Sequence, residues 1–190
     1  MTDDPDSRGL QLSLRIEDPS WTLALPEAES LCRRAVVSAA RDIGASGRPV
    51  PEAAEVTLVL ADDALLRRLN HAFRGHDRPT NVLSFPMQDA APMQDAAPEA
   101  AAPALPEGLP RLLGDIVVAR ETLLREAAEQ GKPAADHLQH LVVHGLLHLL
   151  GFDHEVEDEA REMEAAEVGI LAGLGIADPY RPGPAEEAGA

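Results

Sequence analysis

Cysteine is almost absent from this 190-residue chain: Cys32 stands alone, so no intramolecular disulfide can form. The N-terminal MTDDPDSRGL has neither a basic start nor an apolar signal-peptide core, and a reducing, cytoplasmic location is the simplest expectation. Long hydrophobic runs are missing too. The apolar stretches are strand-length or are broken by His144 and His148, short of the roughly 20 residues of a membrane-spanning helix, so no membrane partner is expected. Positive charge is scarce: 16 Lys and Arg face 33 Asp and Glu, and a net charge of −17 argues against nonspecific attachment to polyanions or anionic membranes. The scarcity is uneven. Between residues 65 and 80, Arg67, Arg68, Arg74 and Arg78 oppose only Asp77, whereas between 155 and 167 seven acids oppose only Arg161. The acidic run reads as a solvated helix face, and a polyanion would have to be met by the small basic patch. The length fits one domain that can bury a core without staples.

What is present is concentrated in HGLLHLLGFDH, residues 144–154. His144 and His148 lie four apart in an apolar run, so on a helix they share one face, roughly 6 Å apart along the axis. A third ligand on the same ion requires the chain to turn back. Gly151 supplies that reversal, because glycine tolerates the left-handed conformation that ends helices, and Asp153 and His154 follow at once. The pattern H-x-x-x-H-x-x-G-x-x-H has the spacing of metzincin zinc sites, with Gly145 where the H-E-x-x-H peptidases carry their general base. The ligand set His144, His148 and His154 therefore predicts one Zn²⁺ per chain and weakens a metallopeptidase reading. Three protein ligands leave a fourth position open, the catalytic arrangement, in which a bound water has a pKa of about 7.

Along the chain, 11–16 alternates and reads as a strand, and 26–43 as a helix opened by Pro26 and stopped at Gly44. Residues 55–61 read as a β-branched strand. Asp62 caps a helix in which Leu65, Leu66, Leu69 and Phe73 recur at helical spacing. A short strand spans 81–85. The Ala/Pro-rich stretch 87–110, with MQDAAP twice in tandem, reads as a flexible insertion. A fourth strand follows at 112–119, then helices at 120–130 and 133–150 and an acidic helix near 155–174 that turns Val156, Met163, Ile170 and Leu174 to the core. Residues 181–190 read as a disordered tail. The order predicts an α+β fold, a small four-stranded sheet packed with about five helices, zincin-like, forming a single metal-dependent hydrolase domain over 1–180.

Three segments together, FRGHDRPTNVLSFP at 73–86, LLGDIVVA at 112–119 and HLQHLVVHGLLHLLGFDH at 137–154, resemble the YbeY family of bacterial endoribonucleases, and the closing GIADPY at 175–180 resembles that family's ending. Where the family often has tyrosine this chain has Phe152. The resemblance implies zinc ligation by His144, His148 and His154, a functionally important arginine at Arg74, and single-stranded RNA cleavage in rRNA maturation and ribosome quality control. It also implies the small ribosomal subunit or its proteins as partners. The chemistry is coherent, because a phosphodiester needs an activated water and a guanidinium to offset charge growing on the phosphoryl oxygens.

Asp153 is a candidate to orient a ligand or accept a proton, and Arg67, Arg78, Asn81 and Ser84 are candidates to hold substrate. His137 and His140 lie near His144 on the helix but too far from His148 to complete the same site, so packing or support of the ligands is expected of them. Asp115 either ends its strand or faces the cleft. Two rivals stand beside the RNA-cleaving reading. One is a zinc metallopeptidase; the other is a non-catalytic ribosome assembly factor with a structural zinc.

Overall fold

Leucine, isoleucine and valine dominate the four strands, and successive side chains point to opposite sheet faces, so residues two apart share a packing partner. In the computed structural model, which describes residues 9–48, 50–51, 53–87, 110–152 and 156–181, these are β1 (Leu10–Ile16), β2 (Ala54–Ala61), β3 (Val82–Pro86) and β4 (Arg111–Ala119). The sheet order is β1-β2-β4-β3, with β1 and β4 parallel to β2 and the edge strand β3 antiparallel to β4. Six helices accompany it among the described residues: α1 (Trp21–Ala24), α2 (Ala28–Ala45), α3 (Asp63–Arg74), α4 (Arg120–Glu129), α5 (Ala134–Leu149) and α6 (Glu157–Gly173). The α+β architecture is the expected one.

Val56, Leu58 and Leu60 of β2 join α2, α5 and α6 in the main core, whereas Ala61 of β2 and Leu83 of β3 meet Leu66 of α3 on the other face. Both sheet faces are thus covered, α5 on one and α3 on the other. α5 is apolar nearly all round, which suits a helix enclosed by sheet and helices, and His140, His144 and His148 occupy a less enclosed stripe. The register slips between Glu55 and Val56, leaving Leu113 of β4 unpaired. Gly114 follows with φ +136°, and a Cβ there would lie 2.1 Å from the Phe85 carbonyl oxygen, so only glycine fits.

Several expectations are corrected. The short helix α1 has no apolar period to announce it; it exists because Trp21 is fully buried and donates from Nε1 to the Ala61 carbonyl at 2.9 Å. α2 starts at Ala28, two residues past Pro26. Asp62 does cap α3, accepting from the Leu65 amide at 2.8 Å. Phe73, however, is 68% exposed, lying edge-on to Phe85 at the sheet margin. β3 begins at Val82 because the Asn81 side chain takes the Val82 amide, and it includes Pro86, which an edge strand tolerates. Val156 precedes α6 and is exposed, while Met163 and Ile170 are buried as expected. Residues 88–109, with all of the duplicated MQDAAP except Met87, and 182–190 of the expected tail lie outside the described residues.

Candidate metal centre

α5 places His137, His140, His144 and His148 along one side, and the helix closes through Gly151. Gly151 takes φ +84°, its amide donates to the His148 carbonyl, and the Phe152 amide reaches back to the Leu147 carbonyl at 3.0 Å, the hydrogen-bond pattern that closes a helix through glycine. This turn carries the Phe152 carbonyl to His148 Nδ1, 3.1 Å away. The Phe152 ring is buried under the Arg48 guanidinium, 4.0 Å from its centroid, and Arg48 in turn pairs with Glu162 of α6 at 2.6 Å. Phe152 thus packs as a ring without needing a hydroxyl.

His144 is held from the opposite side. Its Nδ1 donates to Glu167 Oε1 at 2.8 Å, while Glu167 Oε2 accepts from His140 Nε2 at 3.0 Å and from the Tyr180 hydroxyl. Glu167 is fully buried. Burial pushes its carboxyl up, yet the hydrogen bonds from His140, His144 and Tyr180 outweigh burial and hold it at about 2, so it is a carboxylate at neutral pH. The Tyr180 phenol is pushed above its ordinary range by burial and by the same carboxylate, so it stays protonated and donates.

These partners fix the tautomers. A carboxylate and a carbonyl only accept, so both Nδ1 atoms carry hydrogen and, in neutral rings, both Nε2 atoms are the unprotonated, electron-pair-donating nitrogens. Those two Nε2 atoms face each other 3.2 Å apart. Two lone pairs at that distance repel unless a cation or proton lies between them. Two nitrogens bound tetrahedrally to zinc at 2.0–2.1 Å would stand roughly 3.3 Å apart, so the donor pair fits the ion in chemistry and in spacing. Each of the two candidate ligands also has the carboxylate or carbonyl behind it that zinc-bound histidines usually have. Among the described residues no group of three His, Cys, Asp or Glu side chains is gathered for a metal, and the expected third ligand His154 and Asp153 lie outside them.

The basic patch sits at the C-terminal end of α3. Gly75 ends the helix with φ +71°, and the buried Asn70 ties the returning loop by donating to the Arg78 carbonyl at 2.8 Å. Arg74, the last helical residue, is exposed, as are Arg68 and Arg78, and none of the three makes an ion pair among the described residues. Arg67 is different: Asp77 grips it through two hydrogen bonds of 2.7 and 2.8 Å. Asn81 spends its side chain on Glu126 and on the Val82 amide, and Ser84 Oγ lies under α5, 3.0 Å from where a Cβ on Gly145 would stand. Asp115 is exposed on β4. No described contact joins Arg74 to the histidines. They belong to helices on opposite sheet faces, and α3 and α5 both pack against the edge strand β3.

Three residues of this region escaped the sequence reading. Glu167 belongs to the acidic run that composition assigns to a solvated face, yet it stands four residues after Met163 and three before Ile170, inside the apolar stripe; a glutamate in that register is the signal. Tyr180 is the one tyrosine of the chain, and Glu126 carries no motif of its own.

The family model described as Endoribonuclease YbeY matches residues 16–175. A curated relative from Azorhizobium caulinodans named Endoribonuclease YbeY is 49% identical over 172 residues, covering 90% of this chain and 96% of that protein. Others of the same name, from Paramagnetospirillum magneticum and Alkalilimnicola ehrlichii, are 48% and 52% identical, covering 90% and 85% of this chain and 96% and 86% of their own lengths. The solution structure of TM1509 from Thermotoga maritima is similar over 89% of this chain and 99% of that one, at 22% identity and a TM-score of 0.48.

Proposed function

Because this chain belongs to the Endoribonuclease YbeY family, we propose that it hydrolyses phosphodiesters in single-stranded RNA with one zinc ion held by His144, His148 and His154. The observation that carries the reading is the pair of Nε2 atoms facing each other 3.2 Å apart, each ring backed by an acceptor on its Nδ1. His144, His148 and His154 would hold the ion, and zinc in such a site would supply Lewis acidity that lowers the pKa of a water and polarises a phosphoryl oxygen. The chain's own residues do the rest. Glu167 and the Phe152 carbonyl keep both imidazoles in the ligating tautomer and orientation. Arg74 presents a permanent positive charge to the phosphoryl oxygens as their charge grows, and Asp153 is the candidate proton acceptor. We adopt rRNA ends as the substrate, the small ribosomal subunit or its proteins as the setting, and the cytoplasm as the location, as the resemblance implies. No described helix is long and apolar enough to cross a membrane.

Metal-depleted and zinc-reconstituted protein compared on defined single-stranded and duplex RNA test this reading. Single strands should be cut by the reconstituted protein alone, with duplex spared; equal cleavage by the depleted protein would sink it. Arg74→Glu should lower cleavage by about 10²-fold or more, the scale of losing a charge-stabilising group, with zinc content and thermal midpoint unchanged because Arg74 is exposed and holds no described ion pair. Full activity would remove Arg74 from the mechanism. Since Asp77 occupies Arg67, three arginines remain to meet phosphates, and log affinity for a short single strand should fall with log salt at a slope of about −2. A flat response would count against the basic patch as the RNA contact.

A further inference from the structure

Beside the histidine stripe lies a cleft of about 340 Å³, lined by Asn81, Glu126, Gln130, Lys132, His137 and Tyr180, among others. His144 also lines it, so it opens onto the metal centre. Glu126 of α4 turns one carboxylate oxygen into structure: Oε2 accepts from Asn81 Nδ2 and from His137 Nε2, both at 2.9 Å. The Asn81 orientation is fixed, since its Oδ1 already accepts the Val82 amide. His137 is buried, and burial lowers its pKa, so it is a neutral ring donating from Nε2. The carboxylate is thereby locked, 26% exposed, with Oε1 unpartnered among the described residues.

A rigid lone acceptor beside a phosphodiester site can read a base edge. His137 stands about 10 Å from His144 along α5, comparable to the reach from a phosphorus atom to the far edge of its own nucleobase. Tyr180 is about half exposed and its hydroxyl is anchored on Glu167, which sets an aromatic ring on the same wall; Lys132, tied to the Pro179 carbonyl at 2.9 Å, adds a positive charge. Aromatic rings of this kind stack any base, whereas a carboxylate distinguishes among them.

We propose that this cleft is a nucleobase subsite in which Glu126 Oε1 accepts from the exocyclic amine of adenine, cytosine or guanine, selecting against uracil, while Tyr180 supplies stacking area. Uracil lacks the amine, and its one ring N–H is flanked by two carbonyl oxygens that the carboxylate repels. The assignment rests on the RNA reading above, and its test separates the two. Zinc-loaded full chain is titrated by NMR with AMP, CMP, GMP and UMP, which share the phosphate and differ in the base. The amino-bearing nucleotides should bind about tenfold tighter than UMP, the scale of one hydrogen bond to a charged group. Glu126→Gln should level the four, and Tyr180→Leu should weaken all four alike. Cut sites in a random single-stranded RNA pool should be depleted of uracil at one flanking position, and Glu126→Gln should remove that depletion. Equal affinity of the wild-type chain for AMP and UMP, a comparison that needs no variant, overturns the subsite. Cleavage without base preference sinks the subsite and leaves the nuclease, whereas nucleotide discrimination without cleavage does the reverse.

Discussion

Gly145→Glu, the substitution that would restore an H-E-x-x-H sequence, is expected to unfold the chain rather than create a peptidase. A Cβ at position 145 would stand 2.9 Å from Ile116 Cγ2, 3.0 Å from Ser84 Oγ and 3.3 Å from Ile116 Cδ1. The Ser84 hydroxyl can rotate away. Ile116 cannot yield as easily, because its Cγ2 is one bond from the Cβ of a buried residue in the interior strand β4. A methyl alone therefore forces α5 off the sheet, and overpacking of this kind costs about 1–3 kcal/mol. A glutamate adds a charge to a side chain whose Cβ already presses on Ile116 of β4 and Ser84 of β3, a further cost of several kcal/mol. Against a total stability of about 5–15 kcal/mol, the sum leaves little or nothing. Denaturant midpoints for Gly145→Ala and Gly145→Glu should fall in that order, the second to the point of no cooperative transition. A Gly145→Glu chain that folds like wild type and cleaves a peptide would revive the metallopeptidase reading.

The same glycine shows where sequence reasoning reaches and where it stops. Its identity argued against a peptidase without coordinates, because the general base was missing; that the position is glycine because helix and sheet touch there is a tertiary fact. Local rules carried the elements well. Asp62 caps α3, Gly151 ends α5 in the left-handed region, and the four expected strands lie within about a residue of those observed. His144 and His148 were legible because i,i+4 spacing is itself geometry. A charge count credits Arg67 to the basic patch, while the turn at Gly75 brings Asp77 back onto it. Glu167 and Glu126 were invisible for the same reason. Their roles depend on partners 23 and 11 residues away in sequence, His144 and His137, and only the packing of α6 and α4 on α5 brings them together.

Removing the Glu167 carboxylate should give the largest loss of stability among the polar substitutions, together with a loss of zinc affinity. Glu167→Ala leaves the His140, His144 and Tyr180 donors facing a buried void, and stripping one partner from a buried network costs about 3–5 kcal/mol. Zinc affinity should drop about 10–100-fold, because His144 loses the group that fixes its ligating tautomer. Glu167→Gln keeps the volume and one acceptor oxygen, so it should fold better than the alanine variant while still binding zinc more weakly than wild type. The carboxylate also makes acid stability predictable. Its folded pKa of about 2 lies below the ordinary 4.5, so its contribution is fully present above pH 4.5 and is lost as the pH falls through 2. For a group with no exposed side chain the amount at stake is about 3 kcal/mol. Denaturant titrations of the metal-free chain between pH 5 and pH 2.5 should therefore show wild type losing stability faster than Glu167→Gln, with the two curves converging as the carboxyl protonates. Parallel curves, or a zinc competition titration in which Glu167→Ala matches wild type, would mean that His144 is oriented by something other than this carboxylate.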